Sequence, residues 1–83
     1  MSNKKVSVGF DIGTSGVKCV AFDHCSGQTN SVYLEYPLLT PHPGYAAYDC
    51  NTIWQRILHS IILLGNKYGI EGSNIVSIGF CAL

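Results

Sequence analysis

The stretch that decides the fold lies near the N-terminus and reads Val6-Ser7-Val8-Gly9-Phe10-Asp11-Ile12-Gly13-Thr14-Ser15-Gly16-Val17-Lys18. Its first five residues alternate in polarity and include β-branched and aromatic side chains, which predicts a strand that buries Val6, Val8 and Phe10. The turn residues Gly13–Gly16 follow, and Val17–Phe22 has the composition of a second strand. Because so short a glycine-containing loop joins them, the two strands are predicted to form an antiparallel hairpin.

Two further strands are predicted beyond the hairpin. Turn residues at 23–27 precede a third strand, Thr29–Tyr36, and the proline-rich segment 37–44 then ends the sheet because proline donates no ladder hydrogen bond. Ile75–Phe80 is nearly continuous in apolar character, which predicts a parallel strand buried on both faces, with Cys81 also buried.

One helix is predicted between the third and the last strand. Its apolar residues recur at helical spacing: Ile53, Trp54, Ile57, Leu58, Ile61, Ile62 and Leu64. This position predicts that Trp54 is a core residue rather than an aromatic platform for a sugar. Asp49 or Asn51 is the predicted N-cap, and Gly69 the predicted stop. The element order is therefore β-β-β-α-β.

Composition excludes several classes of protein. The 83 residues include five basic and five acidic side chains, and this balance argues against a nucleic-acid or anionic-membrane surface. The apolar runs are too short for a signal peptide or a membrane span. The four cysteines lack paired metal-ligand spacing, so we expect reduced thiols and a cytoplasmic location. Only 12% of residues are charged, which suits a piece of a longer protein whose faces are covered by further chain.

The turn Gly13–Gly16 carries the candidate chemistry. Its glycines keep Cβ atoms away from the backbone N–H groups, and the hydroxyls of Thr14 and Ser15 add donors, so the turn can cradle an anion. Asp11 can bind Mg²⁺ directly or through water, and Lys18 can neutralise phosphate charge. Such a set suits phosphoryl transfer, in which positioning and charge stabilisation dominate. The alternative is an ordinary hairpin turn, and the spacing matches neither a Walker A loop nor a dinucleotide-binding fingerprint.

Three segments, in the same order, resemble the FGGY carbohydrate kinase family of the xylulokinase and glycerol kinase type. They are Val8–Lys18, then Pro41–Asp49 with Ile53-Trp54, then Ile75–Phe80. Proteins of the Hsp70 and actin type share the first segment but not the second. The chain departs from the family pattern at Tyr45, Ala47, Cys50 and 81–83. These departures leave xylulose, ribulose, gluconate and glycerol-like substrates all open.

The resemblance implies an α/β fold: a partial RNase H-like (actin-like ATPase) domain with a mixed sheet, of which 1–83 is the N-terminal portion. It implies that the full-length protein uses ATP and Mg²⁺ to phosphorylate a small-molecule sugar or polyol. By the same resemblance Asp11 is the metal ligand, and the phosphate-binding residues are Asp11, Gly13, Thr14, Ser15 and Lys18. The catalytic base (an Asp), the adenosine-binding glycines and the second domain are expected downstream, so the chain alone should be inactive.

Two other hypotheses stay open at this point. One is a non-enzymatic ATP-switch protein of the Hsp70 or actin type, in which the same hairpin serves conformational switching. The other is a structural half-domain that pairs its exposed sheet edge with a second copy, forming a homo-oligomer.

Overall fold

The computed structural model describes residues 4–36 and 50–82. Their elements are β1 (Val6–Ile12), β2 (Gly16–Asp23), β3 (Thr29–Glu35), α1 (Cys50–Tyr68) and β4 (Ile75–Ala82). A single 3₁₀ turn, Gly72–Asn74, leads into β4. The predicted β-β-β-α-β order is confirmed.

The four strands form one mixed sheet in the order β3-β2-β1-β4. β1 and β2 form the predicted antiparallel hairpin, β2 pairs antiparallel with β3, and β1 pairs parallel with β4. Gly9 and Gly79 lie side by side in the parallel pair. β4 therefore occupies one edge of the sheet and β3 the other.

The helix covers one face of this sheet, called here the helix face. Val6, Val8 and Phe10 are at most 4% exposed on it, as the alternation predicts. α1 packs against β2 and β3 through the line of Ile57, Ser60 and Leu64. The opposite face, called the open face, carries the alternate residues of each strand, and β1 places Asp11 there.

Ser60 is a buried polar residue that the apolar pattern did not mark. Its hydroxyl donates to the Ile57 carbonyl at 2.7 Å, and the Ser60 side chain acts to lower the pKa of the buried Cys19 thiol. Burial nevertheless raises the pKa of Cys19 to about 11. None of the four cysteines, all of which lie in the described part of the chain, forms a disulfide, and Cys19 is the buried one.

Two burial predictions are wrong for the described structure. Trp54 is 51% exposed, because α1 rests on β2 and β3 along a line narrower than its apolar stripe. β4 is exposed on both faces: Phe80 is 59% exposed, and Cys81 is exposed rather than buried. The cause is the sheet order, since β4 lies beyond β1, outside the strands that α1 packs against.

The connections contain the turn residues expected of them. Asp23 accepts hydrogen bonds from the amides of Cys25 and Ser26 at 2.8 and 3.3 Å, and the Cys25 N–H holds the pKa of Asp23 below its ordinary value. Gly27 has φ +76°, and Gly69 has φ +68° where α1 stops, as predicted.

Some predictions lie outside the described residues: the proline-rich break at 37–44, the family segment Pro41–Asp49 and the Asp49 cap. The alternative cap, Asn51, is wrong because α1 begins at Cys50 and so includes it. No helix in the described part of the chain combines the length and the apolar character that crossing a membrane requires.

Candidate functional site

The candidate site lies at the tip of the β1–β2 hairpin. Asp11 and Lys18 are directly opposite each other in the antiparallel register, and both are exposed on the open face. Directly opposite residues have Cβ atoms about 5 Å apart, so the carboxylate and the ammonium group share one small area. Among the described residues, neither side chain has a hydrogen-bonding or ionic partner. Both charges are therefore free to meet a ligand.

The connecting loop is closed by the Gly13 amide, which donates to the Gly16 carbonyl at 3.0 Å. That amide is thus used within the turn, and Gly13 contributes to an anion site through its missing side chain. Thr14 and Ser15 are exposed, and within residues 4–36 and 50–82 their amides donate to no backbone carbonyl. Two adjacent amides and two hydroxyls therefore remain available as donors at the tip.

Tyr36 stabilises the loop through two hydrogen bonds. Its hydroxyl donates to the Gly13 carbonyl at 2.9 Å, and its backbone N–H donates to the Ser15 carbonyl at 3.0 Å. The side chain is only 5% exposed. Tyr36 therefore anchors the loop. Because these bonds engage the loop's carbonyls, the hairpin tip is held while its Thr14 and Ser15 donors stay outward.

Glycine is required at position 16 because β3 approaches it closely, and not because its backbone is left-handed. No positive φ occurs at this position, yet a Cβ here would lie 2.3 Å from the Leu34 carbonyl oxygen. It would also lie 2.7 Å from the Tyr33 hydroxyl, so the Tyr33 ring rests directly against this glycine. Gly16 thereby lets β3 and its tyrosine come close to the loop.

The hairpin tip and the neighbouring strand enclose a shallow cavity of about 250 Å³. It is lined by the loop Gly13–Gly16 together with Asp11, Lys18 and Tyr33. A single free carboxylate facing several phosphate-binding donors is the usual protein contribution to a Mg²⁺–phosphate site, because Mg²⁺ keeps most of its waters and takes oxygens from the phosphates. The residues present therefore fit Mg²⁺ held with a polyphosphate. Elsewhere, the described residues contain no cluster of three metal-ligating side chains.

The structure brings together all five residues predicted from the sequence: Asp11, Gly13, Thr14, Ser15 and Lys18. Tyr33 also lines this cavity, although the sequence analysis does not single it out as a site residue. The alternation of side chains along β3 could have identified it. Residues 31, 33 and 35 share one face of the strand, and Tyr33 pairs directly with Lys18. Tyr33 is 51% exposed, so about half of its side chain faces solvent although the ring rests against Gly16.

A second, apolar concavity of about 450 Å³ adjoins the loop on the open face. Gly9 and Gly79 form part of its lining, which also includes Asp11. Adding a Cβ to either glycine would meet no atom within 4 Å. The paired glycines thus leave open space beside the carboxylate instead of serving a close contact between the two strands.

His24 lies at the other end of the open face, away from the loop. His24 Nε2 is 2.6 Å from Ser7 Oγ, which in turn is 2.6 Å from Ser77 Oγ. His24 also contacts the Phe22 ring edge-on, with centroids 5.0 Å apart. These contacts give His24 a packing role on the open face.

Comparison with known proteins matches this architecture and site to one family. Residues 6–83 match the model of the N-terminal domain of the FGGY family of carbohydrate kinases. A glycerol kinase from Shewanella sediminis is 32% identical over 76 residues, covering 92% of this chain and 15% of that protein.

Solved structures agree with the sequence match. A gluconate kinase from Lactobacillus acidophilus superposes with a TM-score of 0.76 at 31% identity, covering 95% of this chain and 15% of its own. A xyloylose kinase from Brucella ovis gives 0.76 at 28% identity, covering 93% and 16%. The chain thus spans about 15% of the length of these relatives. The partial actin-like ATPase fold with a mixed sheet is confirmed, and the chain belongs to the FGGY family of carbohydrate kinases.

Proposed function

We propose that the protein carrying this chain transfers the γ-phosphoryl group of ATP to a hydroxyl of a sugar or polyol. The observation that carries the proposal is the pairing of Asp11 with Lys18 at a loop with two available amides, both side chains being exposed and without partners among the described residues. Family membership supplies the reaction class, and the relatives named above are kinases of small polyhydroxylated molecules.

Each residue of the loop site would have a role that suits its chemistry. The Asp11 carboxylate would hold Mg²⁺ directly or through its waters, and the amides and hydroxyls of Thr14 and Ser15 would receive the transferring phosphate oxygens. Gly13 leaves room for those oxygens, and Lys18 adds a positive charge beside them. Mg²⁺, when bound, neutralises the charge that develops on the phosphate oxygens during transfer.

We propose that residues 1–83 form the N-terminal portion of the first actin-like domain. The chain spans only about 15% of the length of its relatives, which supports this assignment. The catalytic base, the adenosine-binding residues and the second domain would then come from further sequence. The 83-residue chain alone is therefore expected to show no sugar-dependent ATP turnover, and such turnover would contradict the assignment.

The family match over residues 6–83 favours the kinase over the ATP-switch alternative. The substrate is proposed at the level of a sugar or polyol, with a pentulose as the narrower hypothesis. A cytoplasmic location and association of copies through the exposed edge of the sheet complete the proposal. Size-exclusion chromatography tests the association, and a monodisperse monomer would contradict it.

The direct test is a panel of sugars and polyols presented to the full-length protein with coupled detection of ADP. The panel should include xylulose, ribulose, gluconate and glycerol, each with and without Mg²⁺. We expect ADP release that depends on both the acceptor and Mg²⁺. ATP hydrolysis of equal rate with and without every acceptor would favour the ATP-switch alternative instead.

A further inference from the structure

We propose that Tyr33 is a phosphate-contacting residue of the loop site, whose hydroxyl donates a hydrogen bond to an anionic oxygen held beside Lys18. The inference rests on the proposed function, because the anion is the phosphate chain that the loop is proposed to bind. It adds a donor from β3 to a site otherwise built from β1, β2 and their loop.

The first support is the position of Tyr33 in the sheet. Tyr33 is directly opposite Lys18 in the β2–β3 register, just as Asp11 is opposite Lys18 in the β1–β2 register. The three side chains therefore form one row across the open face, with the cation in the middle. Tyr33 is 51% exposed, whereas the structural Tyr36 is 5% exposed. A tyrosine that served only packing would resemble Tyr36.

The second support is the way in which Gly16 holds the ring. The Tyr33 hydroxyl and Cζ lie 2.7 and 2.8 Å from the place that a Cβ of Gly16 would occupy. The ring therefore fills the space left by the missing side chain, which fixes the hydroxyl at the wall of the loop cavity. This arrangement pre-organises a donor on an otherwise mobile, half-exposed side chain, and pre-organisation lowers the entropic cost of binding.

The third support is the chemistry of the row. Among the described residues, the Tyr33 hydroxyl has no hydrogen-bonding partner, so its O–H is available. The Asp11 carboxylate alone would repel a phosphate. A divalent cation bound to that carboxylate would instead attract the phosphate. Lys18 and Tyr33 then offer an ammonium group and a hydroxyl on the other side. Both are donors suited to phosphate oxygens, and a hydrogen bond to a charged group is stronger than one between neutral groups.

The test is the affinity of the full-length protein for Mg²⁺ with β,γ-imido-ATP, measured by isothermal titration calorimetry. Tyr33→Phe removes the hydroxyl and keeps the ring against Gly16, so the melting temperature should stay unchanged. We expect the Kd to rise about tenfold, the scale of one hydrogen bond to a charged group. The KM for ATP should rise by a similar factor, with a smaller change in kcat. Ser31→Ala, which removes a hydroxyl from the same face of β3 outside the cavity, should leave the Kd unchanged.

A Kd within twofold of wild type for Tyr33→Phe would overturn the inference, as would an equal loss in Ser31→Ala. Asp11→Asn separates this failure from failure of the proposed function. If Asp11→Asn weakens binding of the nucleotide and Tyr33→Phe does not, the loop is the phosphate site and the Tyr33 inference alone is wrong. If neither variant weakens binding, the proposed function of the loop is wrong as well.

Discussion

The two glycines of the hairpin loop should respond in opposite ways to the same substitution. In Gly16→Ala, the new Cβ would lie 2.3 Å from the Leu34 carbonyl oxygen. A Cβ closer than 3.0 Å to another heavy atom forces one of the two atoms to move, and this contact is about 0.7 Å shorter than that. That oxygen belongs to the backbone of β3, so the β2–β3 pairing must move. In Gly13→Ala, the Cβ would lie 3.5 Å from the Gly16 carbonyl oxygen, an ordinary contact, and φ is not positive.

The magnitudes follow from these distances. Overpacking of this kind costs about 1–3 kcal/mol, and in a domain of this size 1 kcal/mol lowers the melting temperature by about 4–8 °C. Gly16→Ala should therefore lower the melting temperature of the 83-residue chain by about 5–20 °C. Gly13→Ala should change it little or raise it slightly, because alanine restricts the unfolded chain. The same Gly13→Ala change should weaken phosphate binding in the full-length protein, since it adds a methyl group at the cavity.

Thermal unfolding followed by far-UV circular dichroism measures both variants against wild type. Equal shifts of the melting temperature in the two variants would refute the claim that Gly16 is needed for the close approach of β3 and Gly13 for space at the ligand. A stable Gly16→Ala would show that β3 does not approach the loop as described. A Gly13→Ala variant that binds Mg²⁺ with β,γ-imido-ATP like wild type would show that Gly13 leaves no space that the phosphates need.

Three further predictions concern the core, a turn and the thiols. Leu64→Ala should destabilise the chain by about 2–5 kcal/mol in urea unfolding, because Leu64 is 0% exposed, whereas Leu63→Ala at a 42% exposed position should cost less than about 1 kcal/mol. The Cys25 amide lowers the pKa of Asp23, so the stabilisation from the Asp23 carboxylate is present above pH about 4 and is lost as the pH falls through the lowered pKa. Asp23→Ala should therefore be less stable than wild type at pH 7, and the difference in stability should shrink as the pH falls below about 4. Cys19 is buried with a pKa near 11, so iodoacetamide at pH 8 should modify the other three cysteines and spare Cys19 in the folded chain, as mass spectrometry would show; rapid labelling of all four would contradict this burial.

Local patterns predict those parts of the structure that depend on neighbouring residues. Alternation in Val6–Phe10, followed by glycine-rich turn residues, was enough for the hairpin, and the hairpin alone places Asp11 and Lys18 together. The helix and its stop at Gly69 follow from periodicity and from the need for a left-handed residue there.

The features that the sequence does not predict depend on which secondary-structure elements pack against each other. Trp54 and the apolar residues of β4 have the character of core residues, yet α1 packs mainly on β2 and β3. Periodicity identifies an apolar stripe but not the width of the surface that meets it. The bond from Tyr36 to the Gly13 carbonyl spans 23 residues, and Gly16 is needed because Leu34 of the next strand, β3, approaches it closely. Such contacts arise only when the sheet is assembled, so local sequence carries no signal for them.

The central claim is that Asp11 supports phosphoryl transfer from Mg²⁺–ATP at the hairpin loop. Its most direct test is acceptor-dependent ADP formation by the full-length protein, compared between wild type and Asp11→Asn. Asp23→Asn is the matched control, because it removes a carboxylate from the same hairpin at the end away from the loop. We predict a loss of at least about 100-fold in kcat for Asp11→Asn and little change for Asp23→Asn. A kcat for Asp11→Asn within a few-fold of wild type would contradict the claim.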